Sequence, residues 1–578
     1  MEFQGRISVV GTLFTLFTFL IISRLFYWQI IKGPQMSALA VSQREKVEAI
    51  PYQRGSIYAS DNSPLVSNKN SYFLFTDPSK ISQPSDQIAK LLAPILVDKT
   101  KATESSLLES EIKTTQEQLT KSLSDKSKSW YGIKHRISLS EKEEIEKLQI
   151  KNLSFNEEVV RFYPEASMAA HTIGFVGSDF SGEPTGYFGL EGFYDLELKG
   201  RAGRLVQEKD VFNKPILTGL FETEEQSDGK DLILFLDRTV QSIVEESLKD
   251  GLKKYGAKSG WVVVMDPKTG AILAMASQPS YDPANFQDYE QNLYKNPVIS
   301  EAYEPGSTFK VLVMSAALNE KVVTPETRCT ICDGPYKVDK YYINTWNHKY
   351  YPNQTLTEVL EHSDNVGMVF VSQKLGKEKM LDYLDKFGIG KKTGIDLQDE
   401  ASIPLKNSEE WSIVDTSTAS FGQGLVVTGI QMIRAVSAIA NGGMLVEPHM
   451  ASKIVGENKS LEIKPKTAEK FLSSEAISDI THMMVEAVDK GEAKWAKPAG
   501  FQIAGKTGTA QIPVSGHYDE TKTIASFVGF APANNPKFII LTYLREPTSS
   551  PWGSETAAPL FFQIAKKLLI YYDIQPDK

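Results

Sequence analysis

Apolar runs of strand length gather at the two ends of the stretch 230–578, and this placement limits the possible folds. DLILFLD (231–237), WVVVMD (261–266) and AILAMAS (271–277) come first; FQIAG (501–505), TIASFVGFA (523–531) and KFIILTYL (537–544) come last. The second and third runs flank the turn PKTG and read as a hairpin. Between 239 and 255, Val240, Ile243, Val244 and Leu248 recur every three to four residues, as on an amphipathic helix. A second such helix is expected at 556–571. The stretch between the two groups of strands reads as mainly helical. The economical fold is α/β (α+β): an antiparallel five-stranded sheet built from both ends, flanked by helices, with a helical lobe inserted between its second and third strands. A site is then expected in the cleft between sheet edge and lobe.

The whole chain has 578 residues, enough for about two to four units. Its net charge of −9 and the lack of an arginine-rich stripe argue against nucleic acid as a partner. Ile7 to Ile31 is apolar apart from a few Ser/Thr, Gln29 and Arg24. As a helix it spans about 37 Å, enough to cross a hydrocarbon core of about 30 Å. Tyr27 and Trp28 then fall at the far interface. The competing reading is a cleaved signal peptide, with Ala38-Leu39-Ala40 as a cleavage-like site. The apolar stretch is too long for an h-region of about 7–15 residues. MEFQGR carries Arg6 against Glu2, a weak charge signal, and the short tail places the bulk of the chain outside the cytoplasm.

Residues 32–229 are polar and mixed, and LLESEIKTTQEQLTKSL (107–123) reads as an exposed helical insert. A polar joint at Glu224–Gly229 marks a boundary. The expected domains are 1–31 (tail and transmembrane helix), 32–229 and 230–578. The two cysteines, Cys329 and Cys332 in CTIC, form a small disulfide in an exported chain, or stay reduced in a loop. A zinc site with His348 or His362 is the weaker alternative.

EPGSTFK (304–310) admits two readings. Ser307 is a helix cap with a surface lysine one turn on, or a nucleophile with Lys310 as its base. Pattern matching alone does not decide. Ser-x-x-Lys occurs at 110, 227 and 307, Ser-Asp-Asn at 60 and 363, and Lys-Thr-Gly at 268, 392 and 506. Context separates them. Ser110 and Ser227 sit in charged, solvated surroundings, Ser60-Asp61-Asn62 is a turn, 268–270 is the hairpin loop, and 392–394 lies among glycines. One set follows the order helix start, lobe loop, sheet strand: Ser307/Lys310, Ser363-Asp364-Asn365, and Lys506-Thr507-Gly508-Thr509. This order matches the serine acyl-transferase signature. A neutral Lys310 takes the serine proton, which requires its pKa to fall by about three units. Burial and a second cation, Lys506, lower it. Ser363 relays a proton to the leaving amine, Asn365 offers an amide to substrate backbone, and Lys506, Thr507 and Thr509 bind a carboxylate. Gly508 lets the acyl chain lie against the strand.

On these motifs the chain resembles a class B penicillin-binding protein, a membrane-anchored peptidoglycan D,D-transpeptidase. VVVMDPKTGAILAMASQPSYDPANF (262–286), FGQG (421–424) and KTGTAQ (506–511) resemble its catalytic domain. Arg54-Gly55-Ser56-Ile57 and GLEGFYDLELKGRAGR (189–204) resemble its pedestal (dimerisation-type) domain, and KDVFNKPIL (209–217) its division-type, septal subgroup. The resemblance implies acylation of Ser307 by a stem peptide ending in D-Ala-D-Ala, resolution by an amine of a second stem peptide, and trapping by β-lactams. It implies an oxyanion hole of the Ser307 and Thr509 N–H groups, no metal or organic cofactor, and as partners a SEDS-type glycan polymerase and division proteins. Two features depart from the family pattern: Tyr58-Ala-Ser-Asp-Asn-Ser-Pro-Leu65 replaces an Asp-Arg-Asn-Gly run, and CTIC is not a family hallmark. The rival readings are a D,D-carboxypeptidase or β-lactamase, and a non-catalytic penicillin sensor or scaffold. The long pedestal and anchor argue against the first, and the lack of a visible output domain against the second.

Overall fold

The computed structural model describes residues 2–97, 105–209, 214, 221–514 and 517–576. The chain divides into two compact units: Met1–Arg54 with Lys199–Gly229, and Gly55–Leu198 with Lys230–Lys578.

In the first unit, helix α1 (Glu2–Phe26) continues through a π-turn, Tyr27–Ile31. The apolar span Gln4–Ile31 has 28 residues, a length of about 42 Å as helix. A second helix, Gly33–Arg44, leads into a three-stranded antiparallel sheet of Glu45–Ile50, Gly203–Glu208 and Phe221–Glu224. Most of the run 209–217 lies outside the described residues.

In the second unit one mixed sheet joins strands distant in sequence. Pro64–Thr76 pairs with Tyr131–Ile137, Leu153–Phe162 and Ile57–Tyr58; Ile57–Tyr58 runs parallel to Asp231–Leu234, which pairs with Ala451–Val455. Gly55 makes this junction possible, because a Cβ there would lie 1.9 Å from the Lys230 carbonyl oxygen. The segment expected as an exposed insert differs from expectation. Its helix, Ser105–Ser124, packs through buried Leu119 and Leu123 against Leu92 and Ile137. Tyr131–Ile137, close after it, is a strand. The leucines, four residues apart, supply one apolar stripe, and the charged residues keep the solvated face.

The five-stranded sheet comprises β1 (Ser259–Met265), β2 (Ile272–Gln278), β3 (Ala504–Val514), β4 (His517–Ala531) and β5 (Phe538–Arg545), in the order β2-β1-β5-β4-β3 and antiparallel throughout. Because side chains alternate across a strand, Val262 and Val264 of β1 face one side. There they join Phe527, Ile540 and the helices α2 (Arg238–Tyr255) and, at the C-terminus, Ala557–Tyr571. Trp261, Val263 and Met265 face the other side, into the lobe core. Both faces are covered, so the strand reads as an unbroken apolar run. Each such side chain contributes roughly 1.5–3 kcal/mol on burial.

The third strand is displaced from its expected place. FQIAG supplies only its first two residues, and β3 runs on through KTGTAQ to Val514. Apolarity locates it poorly because it is the edge strand: its free edge fronts the cleft and carries Lys506, Thr507 and Thr509.

Candidate active site

Gly306–Phe309 forms a 3-10 turn that leads directly into α3 (Lys310–Asn319), whose residues through Leu318 are all buried. The N-cap position of the turn is Pro305, and Phe309 holds that position for α3; neither end has a side-chain cap. Ser307 therefore caps neither helix. It stands half-buried at the cleft, one turn before Lys310, so hydroxyl and amine share a face.

Glycines hold the turn. Gly306 has φ +56° and donates its N–H to the Gly422 carbonyl (3.0 Å). A Cβ on Gly422 (φ +79°) would lie 2.1 Å from the Gly306 carbonyl oxygen. The FGQG loop thus locks the backbone beside Ser307. Gly508 does similar work from β3. Its absent Cβ would meet Ser526 Oγ at 2.4 Å, Thr308 Cγ2 at 2.8 Å and the Pro305 carbonyl oxygen at 3.2 Å. The missing side chain makes room for the nucleophile turn, whereas sequence reasoning assigned that room to the acyl chain.

The Ser-Asp-Asn element opens α4 (Asn365–Leu375). Asp364, which sequence reasoning left without a role, is its N-cap: Oδ1 accepts from the N–H groups of Val366 (2.8 Å) and Gly367 (3.1 Å), and Oδ2 from Gln354 Nε2 (2.5 Å). Ser363 just before it has φ +54°, an uncommon conformation for a residue with a Cβ. Ser363, one residue before the cap, is thus held in a sparsely populated region.

The buried polar atoms converge here. Lys310 and Lys506 are 0% and 3% exposed. Lys310 Nζ donates to the Ser363 carbonyl (2.6 Å) and to Asn365 Oδ1 (2.8 Å), and lies 3.3 Å from Ser363 Oγ. Lys506 Nζ donates to Ser363 Oγ (3.0 Å), Thr507 Oγ1 (3.1 Å) and the Thr507 carbonyl (3.2 Å). Two of the three partners of Lys310 can only accept. The third, the Ser363 hydroxyl, already accepts from Lys506 and has a proton of its own to give. A charged Lys506, a Ser363 hydroxyl aimed at Lys310 and a neutral Lys310 satisfy every contact. Electrostatics agree. Burial, and then the Lys506 charge, hold Lys310 well below the usual lysine range, against the pull of Asp364 and Glu492. Burial lowers Lys506 to about 8, opposed by Glu492.

The cleft beside these groups has a volume of about 420 Å³ and is lined by Ser307, Ser363, Asn365, Thr507 and Thr509. The Thr509 carbonyl oxygen lies 2.8 Å from where a Gly306 Cβ would stand. In an antiparallel strand a residue's N–H and C=O point to the same side, so the Thr509 N–H also points off the free edge, toward the nucleophile turn. Thr507 Oγ1 accepts from Lys506, and Thr509 Oγ1 accepts from the Gly553 N–H (2.9 Å), which leaves both hydroxyl protons to donate. Asn365 is engaged at both ends, with Nδ2 donating to the Asn344 carbonyl (3.1 Å), so a substrate must displace that bond to use its amide.

Sequence reasoning missed several parts of the cleft. Trp346 and Trp552 line it and meet edge-to-face at 4.7 Å. Glu492 lines it too; burial raises its pKa against the attraction of Lys506 and Lys310. Cys329 and Cys332 form a disulfide, and the Cys329 N–H donates to the carbonyl of Gln354, whose side chain holds Asp364. No cluster of metal-ligating side chains is present among the described residues.

Comparison with known proteins finds two family domains in the chain. The penicillin binding protein transpeptidase domain matches residues 260–566, and the penicillin-binding protein dimerisation domain matches 49–234. Stage V sporulation protein D of Bacillus subtilis (strain 168) is 33% identical over 98% of this chain and 86% of its own length. Peptidoglycan D,D-transpeptidase FtsI of Escherichia coli (strain K12) is 31% identical over 75% of this chain and 71% of its own. Penicillin binding protein 3 of Mycobacterium tuberculosis, solved in complex with aztreonam, superposes with a TM-score of 0.69 at 25% identity, over 92% of this chain and 98% of that one.

Proposed function

The chain belongs to the class B penicillin-binding proteins, and from that premise we propose how it works: it cross-links stem peptides ending in D-Ala-D-Ala through an acyl-enzyme on Ser307, in septal wall synthesis, anchored to the membrane by α1. The observation that carries this reading is the hydrogen-bonded line Lys506–Ser363–Lys310, where burial and the neighbouring ammonium hold Lys310 well below the usual lysine range.

Neutral Lys310 takes the Ser307 proton as Oγ attacks the penultimate D-Ala carbonyl. The N–H groups of Ser307 and Thr509 receive the oxyanion. Thr507 and Thr509, backed by the Lys506 charge, hold the terminal carboxylate, while the Asn365 amide engages the donor backbone. The proton passes from Lys310 through Ser363 to the departing D-alanine amine. An amine of a second stem peptide then attacks the ester. β-Lactams enter by the first half of this route. The domain assignment follows, with 32–229 as pedestal and 230–578 as transpeptidase. The catalytic domain lies outside the cytoplasm, and a SEDS-type polymerase and division proteins are the expected partners.

A cross-linking assay on the full chain, with uncross-linked glycan strands as substrate, tests this. Released D-alanine is expected to match newly formed peptide cross-links. D-alanine release with free stem peptides as the main product would instead establish a hydrolase. The relay also sets a pH profile. Lys310 acts only when neutral, so acylation rises as pH passes upward through its depressed pKa. Lys506 must stay charged, so acylation falls as pH rises through about 8. Rates of labelling by a fluorescent penicillin should therefore be bell-shaped in pH. A rate still climbing beyond about pH 9.5, toward an ordinary lysine pKa, contradicts this assignment.

A further inference from the structure

The second half-reaction brings a cation into a cleft that already has two buried lysines behind its wall. A primary amine carries its proton at neutral pH, and as an ammonium it has no lone pair with which to attack. Something in the cleft must attract it and remove that proton. Glu492 is the only acidic side chain lining the cleft among the described residues. It follows α5 (Ser474–Asp489) on a fixed backbone: a Cβ on Gly491 would lie 2.2 Å from the Ala487 carbonyl oxygen and 3.2 Å from that of Glu361. Its carboxylate accepts a hydrogen bond from Ser554, another lining residue, and is attracted by Lys506 and Lys310. It bonds neither lysine, since their hydrogen bonds go to Ser363, Asn365 and Thr507. Acceptor positions on a carboxylate therefore stay open to the cleft.

We propose that Glu492 binds the ammonium group of the acyl acceptor and takes its proton, acting as the base of the second half-reaction. This rests on the transpeptidase reading above. The ammonium gives one proton to Glu492, and the freed amine attacks the Ser307 ester carbonyl. The adduct nitrogen gives a second proton to neutral Lys310. The bond between carbonyl carbon and Ser307 Oγ breaks, and Lys310 returns that proton to Oγ. The products are an amide, free Ser307 and a proton that Glu492 releases to water. Desolvation at the cleft wall raises the Glu492 pKa, which suits the carboxylate to receive a proton and then lose it.

The test uses the full-length protein with a thioester donor and a simple D-amino acid as the amine. Acylation is followed by thiol release, and the acyl-enzyme's partition between amide and acid by product analysis at rising amine concentration. Glu492→Gln is expected to lower amide formation about 10²-fold more than it lowers acylation, with a higher amine concentration needed for half-saturation. Glu492→Asp should restore part of the loss. Acylation doubles as the control for folding in each variant. Equal loss of both steps would make Glu492 only a counter-charge for the lysines and overturn the proposal, as would loss of acid formation with amide formation intact. A wild-type chain that acylates but forms no amide at any amine concentration would overturn the transpeptidase reading as well.

Discussion

Lys310→Arg is expected to slow acylation of Ser307 by about 10³-fold or more, and no increase in pH should restore the rate. The substitution keeps a long basic side chain but removes the ability to be neutral, because a guanidinium stays protonated at any accessible pH. The native amine is held well below the usual lysine range by its full burial and by the second ammonium across Ser363. An arginine in that place is a permanent charge without a lone pair to take the serine proton. A loss of general base assistance costs about 10²–10⁴-fold, and the added charge beside Lys506 works against the fold of the site. Second-order rate constants for a fluorescent penicillin, measured across pH on wild type and variant, give the answer. A variant within about tenfold of wild type at alkaline pH would remove Lys310 from the role of base.

The second large effect is expected from Gly422→Ala, far from Ser307 in sequence. Adding one methyl there costs the left-handed backbone about 1–2 kcal/mol and drives a carbon to 2.1 Å from the Gly306 carbonyl oxygen. Either the FGQG loop or the nucleophile turn must move. A displacement of about 1 Å at reacting atoms costs about 10²-fold in rate. Acylation should fall by that order, and the melting temperature should drop. Gly442 provides the control. It also has a positive φ, +64°, but nothing lies within 4 Å of its Cβ position. Gly442→Ala should pay only the backbone cost and leave the acylation rate near that of wild type. Equal rates for the two variants would show that the turn is not held by its glycines.

The parts of this molecule that were legible in its sequence share a cause. Strands such as β1, buried on both faces, announce themselves as continuous apolar runs, and α2 does so by its periodicity. The candidate site was legible because three short motifs had to follow one order along the chain; geometry then places Lys310, Ser363, Asn365 and Lys506 within hydrogen-bonding distance of shared atoms. The edge strand β3 was misplaced at its start because an edge facing a cleft does not need an apolar sequence. The helix at 105–124 reads as solvated in sequence because Leu119 and Leu123, among many charges, leave little trace of the core they enter. Glu492, Trp346 and Trp552 were invisible for a different reason. Each sits in a segment without a motif, and only the tertiary fold brings them to the cleft wall. Gly508 shows the subtler case, in which the residue was recognised but the neighbour that requires it, Thr308 on the nucleophile turn, was not.

The most direct test of the central claim is peptide mapping by mass spectrometry after exposure of the intact protein to a β-lactam. One adduct is expected, on Ser307, and Ser307→Ala should abolish it while the protein keeps its cooperative unfolding. An adduct on any other residue, or labelling that survives Ser307→Ala, would contradict the account.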